Sequence, residues 1–285
     1  SKISNKYCNC PFCNSISKLK NVENFYDIFR CTKCNLLFVN PIPEKKRNEE
    51  IIQYWGDNNI ENSIANKRKY NKVNQFFIKI LFKYFVNNKT QPRILDIGCG
   101  YGFFVKLLNE NNFDAYGLDI SKQSTYFAKN NLNLKNIFTS DLSNEVFSDN
   151  FFNSIIALNL LEHVPDPEGL LQIIHKKLKK NGIFLLRVPN MSFHYNFKFI
   201  IKRVLKRKYS LIATTPPIHL FGYSLKNLNQ ILEKNKFKII ESGPSKLGLS
   251  KKKNVFKNFY ITVFNIFFKS IFIFSNKKIN ISPSI

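Results

Sequence analysis

Short apolar runs alternate with helically spaced ones through the middle of the chain. Residues 93–97, 113–119, 152–159 and 182–190 are runs of strand length, and another strand precedes Thr139. Between them, apolar residues recur three and four positions apart. An amphipathic stretch begins at Phe103, Ser121 is placed to cap a helix through Asn130, and Pro165 and Pro167 open a helix expected to end at Gly182. Strands alternating with helices of this length predict an α/β domain on a parallel sheet. Ahead of it, residues 44–88 read as helices, with Phe76, Phe77, Ile80, Leu81 and Tyr84 on one face. Behind it, a helix over 224–235, a strand over 237–241 and a closing strand over 279–285 are expected.

Two later stretches are amphipathic in another way. In 196–208, Phe197, Ile200, Ile201, Val204 and Leu205 share a face, while Lys198, Lys202, Arg203, Lys206 and Arg207 take the others. In 253–275, Asn254, Asn258, Thr262, Asn265 and Lys269 form one narrow polar stripe in an otherwise apolar segment. Its length suits a membrane span, but Lys257, Asn258, Asn265 and Lys269 make that costly. Docking on the protein's own core and lying in a membrane interface are the alternatives.

The chemistry concentrates where the first strand ends. Asp96 is followed by Gly98, Gly100 and Gly102, which let a backbone approach a ligand where a Cβ atom would collide. The second strand ends in Asp119, at the distance where nucleoside-binding folds place a ribose-hydroxyl acceptor. A dinucleotide fingerprint spaces its glycines differently, and an acid ahead of the loop would repel a pyrophosphate. A cationic nucleoside suits Asp96 better.

Residues 95–102 resemble motif I of the class I S-adenosylmethionine (SAM)-dependent methyltransferases. Later landmarks resemble that family in order: Thr139-Ser-Asp141-Leu142 after the third strand, 152–159 as the fourth strand, Leu161-Glu-His-Val-Pro-Asp-Pro167, and 182–190 as the fifth. The resemblance implies a Rossmann-like, seven-stranded sheet with its last strand antiparallel. It also implies that residues 244–278 are inserted between strands six and seven, and that 191–222 form a further insertion. Asp96, Gly98, Cys99, Gly100 and Gly102 would line the methionine end of SAM, with Cys99 a small buried residue rather than a nucleophile. Asp119 would hold the ribose, Ile120 would lie against the adenine, and Asp141 and Leu142 would meet its amino edge. Asn159 would offer a backbone carbonyl near the sulfonium. The final strand ends short, as expected of a truncated chain, and Ser1 in place of Met is expected of a trimmed start.

Five of six cysteines fall within the first 34 residues. Cys10-Pro-Phe-Cys13 and Cys31-Thr-Lys-Cys34 are two C-x-x-C knuckles at zinc-ribbon spacing, offering four thiolates to a structural zinc. Cys8 is a competing ligand. A disulfide pair fits poorly with a cytoplasmic metabolite as cofactor, and a redox motif needs only one knuckle. The segment 30–41 resembles the ribbon preceding the SAM domain in a group of bacterial methyltransferases. The expected organisation is a zinc ribbon over 1–43, a helical lid or linker over 44–92, and a SAM-binding domain over 93–285.

Charge then shifts attention to the acceptor. The net charge is +25, yet residues 1–168 hold 21 basic and 17 acidic side chains, whereas 169–285 hold 23 and two. Genome composition explains abundant lysine but not this split. Basic apolar elements beside the expected acceptor site point to an anionic membrane surface. The acceptor implied is a small-molecule or lipid-linked saccharide at the cytoplasmic face. Nucleic acid fits less well, because the basic residues alternate with apolar ones instead of clustering with stacking aromatics. Rival readings are an RNA methyltransferase, a quinone or lipid-ring methyltransferase, and a non-catalytic scaffold, the last opposed by the intact loop. For an alcohol acceptor a base is needed. His219 and His163 are the candidates, the bland alternative being histidines that fasten loops. His175 should face solvent, and His194 cannot be placed.

Overall fold

A computed structural model describes residues 6–23, 26–57, 60–85, 90–143, 146–190 and 219–242. Its centre is a parallel sheet of β5 (Arg93–Ile97), β6 (Asp114–Asp119), β7 (Ile137–Thr139), β8 (Phe152–Leu158) and β9 (Leu178–Arg187), in the order β7-β6-β5-β8-β9. Chain order reverses between β5 and β8, and a crevice for ligands opens beyond the carboxyl ends of such strands.

Strand alternation divides the core in two. Ile94 and Ile156 face a cluster with Val73, Phe77, Ile78 and Leu81 of α2 (Ile60–Phe85) and Phe104, Val105 and Leu108 of α3 (Phe103–Glu110). Leu95, Ile97 and Ile155 face the other way, onto Leu118, Phe152 and Ile174 of α5 (Pro167–Lys177). With both faces covered, β5 has no polar alternation to show; four of its five residues are buried. Ser121 caps α4 (Lys122–Asn131) by accepting from the Ser124 N–H, as its place in the sequence predicts.

A second sheet has five strands in the order β1-β2-β3-β4-β10. The first four are β1 (Tyr7–Asn9), β2 (Ile16–Glu23), β3 (Tyr26–Cys31) and β4 (Leu37–Asn40). The fifth, β10 (Phe221–Gly222), comes from far along the chain and pairs antiparallel with Leu37 and Phe38. One apolar cluster joins Ile28, Phe29, Leu36 and Val39 to Leu171, Val188, Leu220, Phe221, Tyr223 and the residues Leu228 and Ile231 of α6 (Leu225–Lys234).

Two expectations change. Among the described residues the parallel sheet shows five of the seven expected strands. Residues 237–241 form no strand: Phe237 packs against Phe184 with the rings tilted, while Ile240 stays 63% exposed with no neighbouring strand among the described residues. The closing strand at 279–285 and the amphipathic segments 196–208 and 253–275 lie outside the described residues. The helix opened by Pro167 stops at Lys177, not Gly182. Leu178 pairs with Phe152 and Ile183 with Ser154, so the extra residues between them bulge from β9. Lys179 and Lys180 therefore sit on the strand, and only His175, Lys176 and Lys177 reach the helix end.

Helix α1 (Lys45–Asp57) follows β4, and its first turns touch the segments that follow β7 and β8. Lys45 reaches Asp141 at 2.6 Å, and the Asn48 amide donates to the His163 carbonyl at 2.9 Å. No described helix is long and apolar enough to cross a membrane.

Candidate functional site

The first strand delivers its chain into a loop held by the second. The N–H groups of Gly98 and Cys99 both donate to the Leu118 carbonyl, at 2.7 and 3.1 Å. Asp119 then receives the Gly100 N–H on one carboxylate oxygen at 2.8 Å and the Ser121 N–H on the other at 2.9 Å. Gly98, Gly100 and Gly102 all take positive φ, at 71°, 51° and 75°. Their surroundings differ. A Cβ on Gly102 would lie 2.8 Å from Ala128 Cβ and Leu134 Cδ1, so this glycine lets α3 pack against α4. A Cβ on Gly100 would meet nothing within 4 Å. Gly100 thus borders open space, and its missing side chain leaves room for a ligand.

Asp96 is buried beneath this loop at 4% exposure. Burial, and then the charge of Asp119, push its carboxyl up to about 8. A cation bound beside it would restore the carboxylate. The open cradle, the buried acid and the half-buried Asp119 therefore fit SAM, with Asp96 toward its cationic end. Asp119, at the carboxyl end of β6, offers carboxylate oxygens of the kind that accept from a ribose hydroxyl.

The other expected contacts arrange themselves around this loop. Cys99 is buried, with Sγ 2.8 Å from where a Gly117 Cβ would stand; burial holds its thiol well above the usual range. Ile120 is half-buried directly after β6. Leu142 is buried in the lower core. Burial opposes ionisation of Asp141, but the hydrogen bonds from Lys45 and Ser143 outweigh it and hold the carboxyl below its ordinary value. Asn159 takes φ 55°, donates its N–H to the Arg187 carbonyl at 2.7 Å, and accepts from the Arg187 guanidinium at 2.6 Å.

The two candidate histidines, far apart in sequence, come together. Their ring centroids are 4.6 Å apart. Between them lies a residue that the sequence reading did not single out, Glu162, whose Oε1 is 3.9 Å from His163 Nε2 and 4.0 Å from His219 Nε2. Glu162 is 1% exposed, neither oxygen has a hydrogen-bond partner among the described residues, and burial pushes its carboxyl up to about 8. Its position between His163 and the fourth strand was visible, but nothing in the spacing joins it to His219. The Leu220 N–H donates to the Glu162 carbonyl at 2.8 Å, which brings the His219 segment alongside. His175 is exposed, as predicted, and its ring edge meets Phe237. His194 lies outside the described residues.

The two knuckles also converge. Cys10 and Cys34 sulfurs are 3.7 Å apart and Cys13 and Cys31 sulfurs 3.4 Å, near the ~3.8 Å edge of a tetrahedron with ~2.3 Å metal–sulfur bonds. The N–H groups of Lys33 and Cys34 donate to Cys31 Sγ, the usual solvation of a knuckle thiolate. The hydrogen bond from Cys34 draws Cys10 down to about 5 and leaves Cys34 raised. Cys8 stands outside the four-sulfur group, and burial pushes its thiol up to about 11. The donor set fits one zinc ion without Cys8.

Residues 67–242 match a family described as Methyltransferase domain (Methyltransf_23). A ubiquinone biosynthesis O-methyltransferase of Rickettsia typhi is 26% identical over 154 residues, which cover 52% of this chain and 61% of that protein. A sterol 24-C-methyltransferase of Schizosaccharomyces pombe is 33% identical over 103 residues, or 34% of this chain and 27% of that one. The chain therefore spans about three fifths of the first relative. Among solved structures, a chain of the Haloferax volcanii complex between the Trm112 methyltransferase activator and a methyltransferase aligns with a TM-score of 0.51 at 13% identity. That alignment covers 70% of this chain and 80% of that one. It shows the same fold.

Proposed function

Since the chain belongs to this methyltransferase-domain family, we propose that it transfers a methyl group from SAM to a hydroxyl of a saccharide acceptor. The observation that carries the transfer reading is the glycine loop: Gly100 borders open space while Asp119 pins the loop through two backbone N–H groups. SAM supplies a methyl group made electrophilic by its sulfonium. The residues of the chain bind and align. Asp96 offers buried negative charge to the cationic end, and Asp119 accepts from the ribose. Lys45, on α1, closes the adenine side by holding Asp141. Alignment and exclusion of water account for most of the catalysis of such a displacement.

At the acceptor end, Glu162, His163 and His219 offer acceptors and proton-holding groups to a hydroxyl. This favours an oxygen nucleophile over an amine. Placement of the acceptor at an anionic membrane is supported by the +25 charge and its concentration beyond residue 168, and a lipid-linked saccharide is the acceptor proposed for such a surface. The four cysteines are proposed to hold a structural zinc, which ties the ribbon to α6 through the Asn227–Cys34 contact.

Calorimetry with S-adenosylhomocysteine tests the cofactor site: saturable heat at one site per chain is expected, and its absence removes the enzymatic reading. Liposomes containing anionic lipid, compared with total RNA at matched salt, test the surface. Preferential RNA binding would replace the saccharide by a nucleic-acid acceptor.

A further inference from the structure

We propose that Glu162, His163 and His219 form a second metal site, separate from the four cysteines, holding a divalent transition ion at the acceptor end of the cleft. Three ligand atoms, one from each residue, all lie within 4.8 Å of one another. The two Nε2 atoms stand 3.9 and 4.0 Å from the same Glu162 oxygen. These gaps are too long for hydrogen bonds. They are about half an ångström wider than the ~3.4 Å between ligands of a tetrahedral ion with ~2.1 Å bonds.

Glu162 supplies an independent reason. Both of its oxygens are buried with no hydrogen-bond partner among the described residues. A buried carboxylate left without donors is strongly unfavourable, and a cation between it and two imidazoles removes that cost. Imidazole with carboxylate selects zinc, iron(II), cobalt or nickel over magnesium and calcium.

The backbone around the site is held on both sides. Asn48 donates to the His163 carbonyl, the Leu220 N–H to the Glu162 carbonyl, and the Tyr223 hydroxyl to the Leu161 carbonyl. His163 is the most exposed of the three, at 20% of its side chain, so an open coordination position is reached from the cleft. The ion's role rests on the methyltransferase reading. A hydroxyl bound there loses its proton to solvent water, and its oxygen forms the C–O bond as the C–S bond of the donor breaks. The thioether departs with the electron pair.

The test uses the full chain, stripped with a chelator and titrated with Co²⁺. Two ions per chain are expected, one giving thiolate charge-transfer bands and one only weak ligand-field bands. Glu162→Gln and His219→Ala should each retain the thiolate bands, which report a folded ribbon. Each should bind the second ion more weakly by more than the about 100-fold typical of losing an outer partner. A single ion in the unaltered chain, or two ions bound undiminished by both variants, overturns the proposal. S-adenosylhomocysteine calorimetry on the same samples separates the readings. Product binding with one ion leaves the methyltransferase standing without the metal, and two ions without product binding do the reverse.

Discussion

Asp119 ends β6 and Glu162 follows β8, so the two carboxylates flank β5 at the same end of one parallel sheet, and their surroundings differ in kind. Asp119 is half-buried and receives two backbone N–H groups from residues close by in the loop and helix start. Glu162 is fully buried, receives none from the described residues, and faces two imidazoles, one of them from a distant segment. The first is oriented by backbone N–H groups of its own loop, as the proposed ribose contact requires. The second is complete only with something added. Cofactor recognition and acceptor chemistry are thus built by different means on one scaffold.

Breaking the loop should have the largest effect. Gly102→Val combines a positive φ with collisions against Ala128 and Leu134, and should cost about 3 kcal/mol or more in urea unfolding. Gly100→Ala is its control: with open space in front, it should cost only about 1 kcal/mol of stability. It should nevertheless weaken S-adenosylhomocysteine at least about tenfold, because the space belongs to the ligand.

The two carboxylates can be set against each other directly. Asp119→Ala should weaken S-adenosylhomocysteine about 100-fold, or about 2.7 kcal/mol by calorimetry. Glu162→Gln should leave that affinity within about threefold and instead lower turnover about 100-fold. Equal losses of product affinity in both would erase the distinction.

A pH series tests Asp96. Its carboxyl is raised to about 8 in the folded chain, whereas the unfolded value is about 3.9. The folded state therefore binds the extra proton, and stability from this group is full below about pH 4 and is lost as pH rises through about 8. Thermal unfolding of the ligand-free protein should fall over that window, and Asp96→Asn should flatten the slope. SAM affinity should run the opposite way, rising toward pH 8, because the cation needs the carboxylate. The smallest effect belongs to Lys45→Ala: its exposed ion pair with Asp141 should contribute no more than about 1 kcal/mol to stability.

Much of the cofactor half was legible because its determinants are neighbours in sequence. The run into Asp96, the three glycines and the acid closing β6 encode strand, turn and acceptor through local sterics, and β5, α3 and β6 stand where the periodicity puts them. The C-x-x-C knuckles were legible for the same reason. What escaped depended on pairing between distant segments. The end of α5 is set by Leu178 meeting Phe152, not by Gly182. Residues 237–241 have the apolar content of a short strand but no strand beside them among the described residues. Glu162 was hidden in plain view, since a carboxylate next to a histidine says nothing until another histidine arrives.

By itself the sequence determined the parallel α/β core, the glycine loop with its two acids, and the four-sulfur group, because backbone sterics and tight turns act over a few residues. Only the tertiary structure decided that Phe221–Gly222 would complete the ribbon sheet, that α1 would bridge Asp141 and His163, and that His219 would come to rest against Glu162. These depend on which apolar faces bury one another and which backbone groups then pair, and no local pattern carries that information.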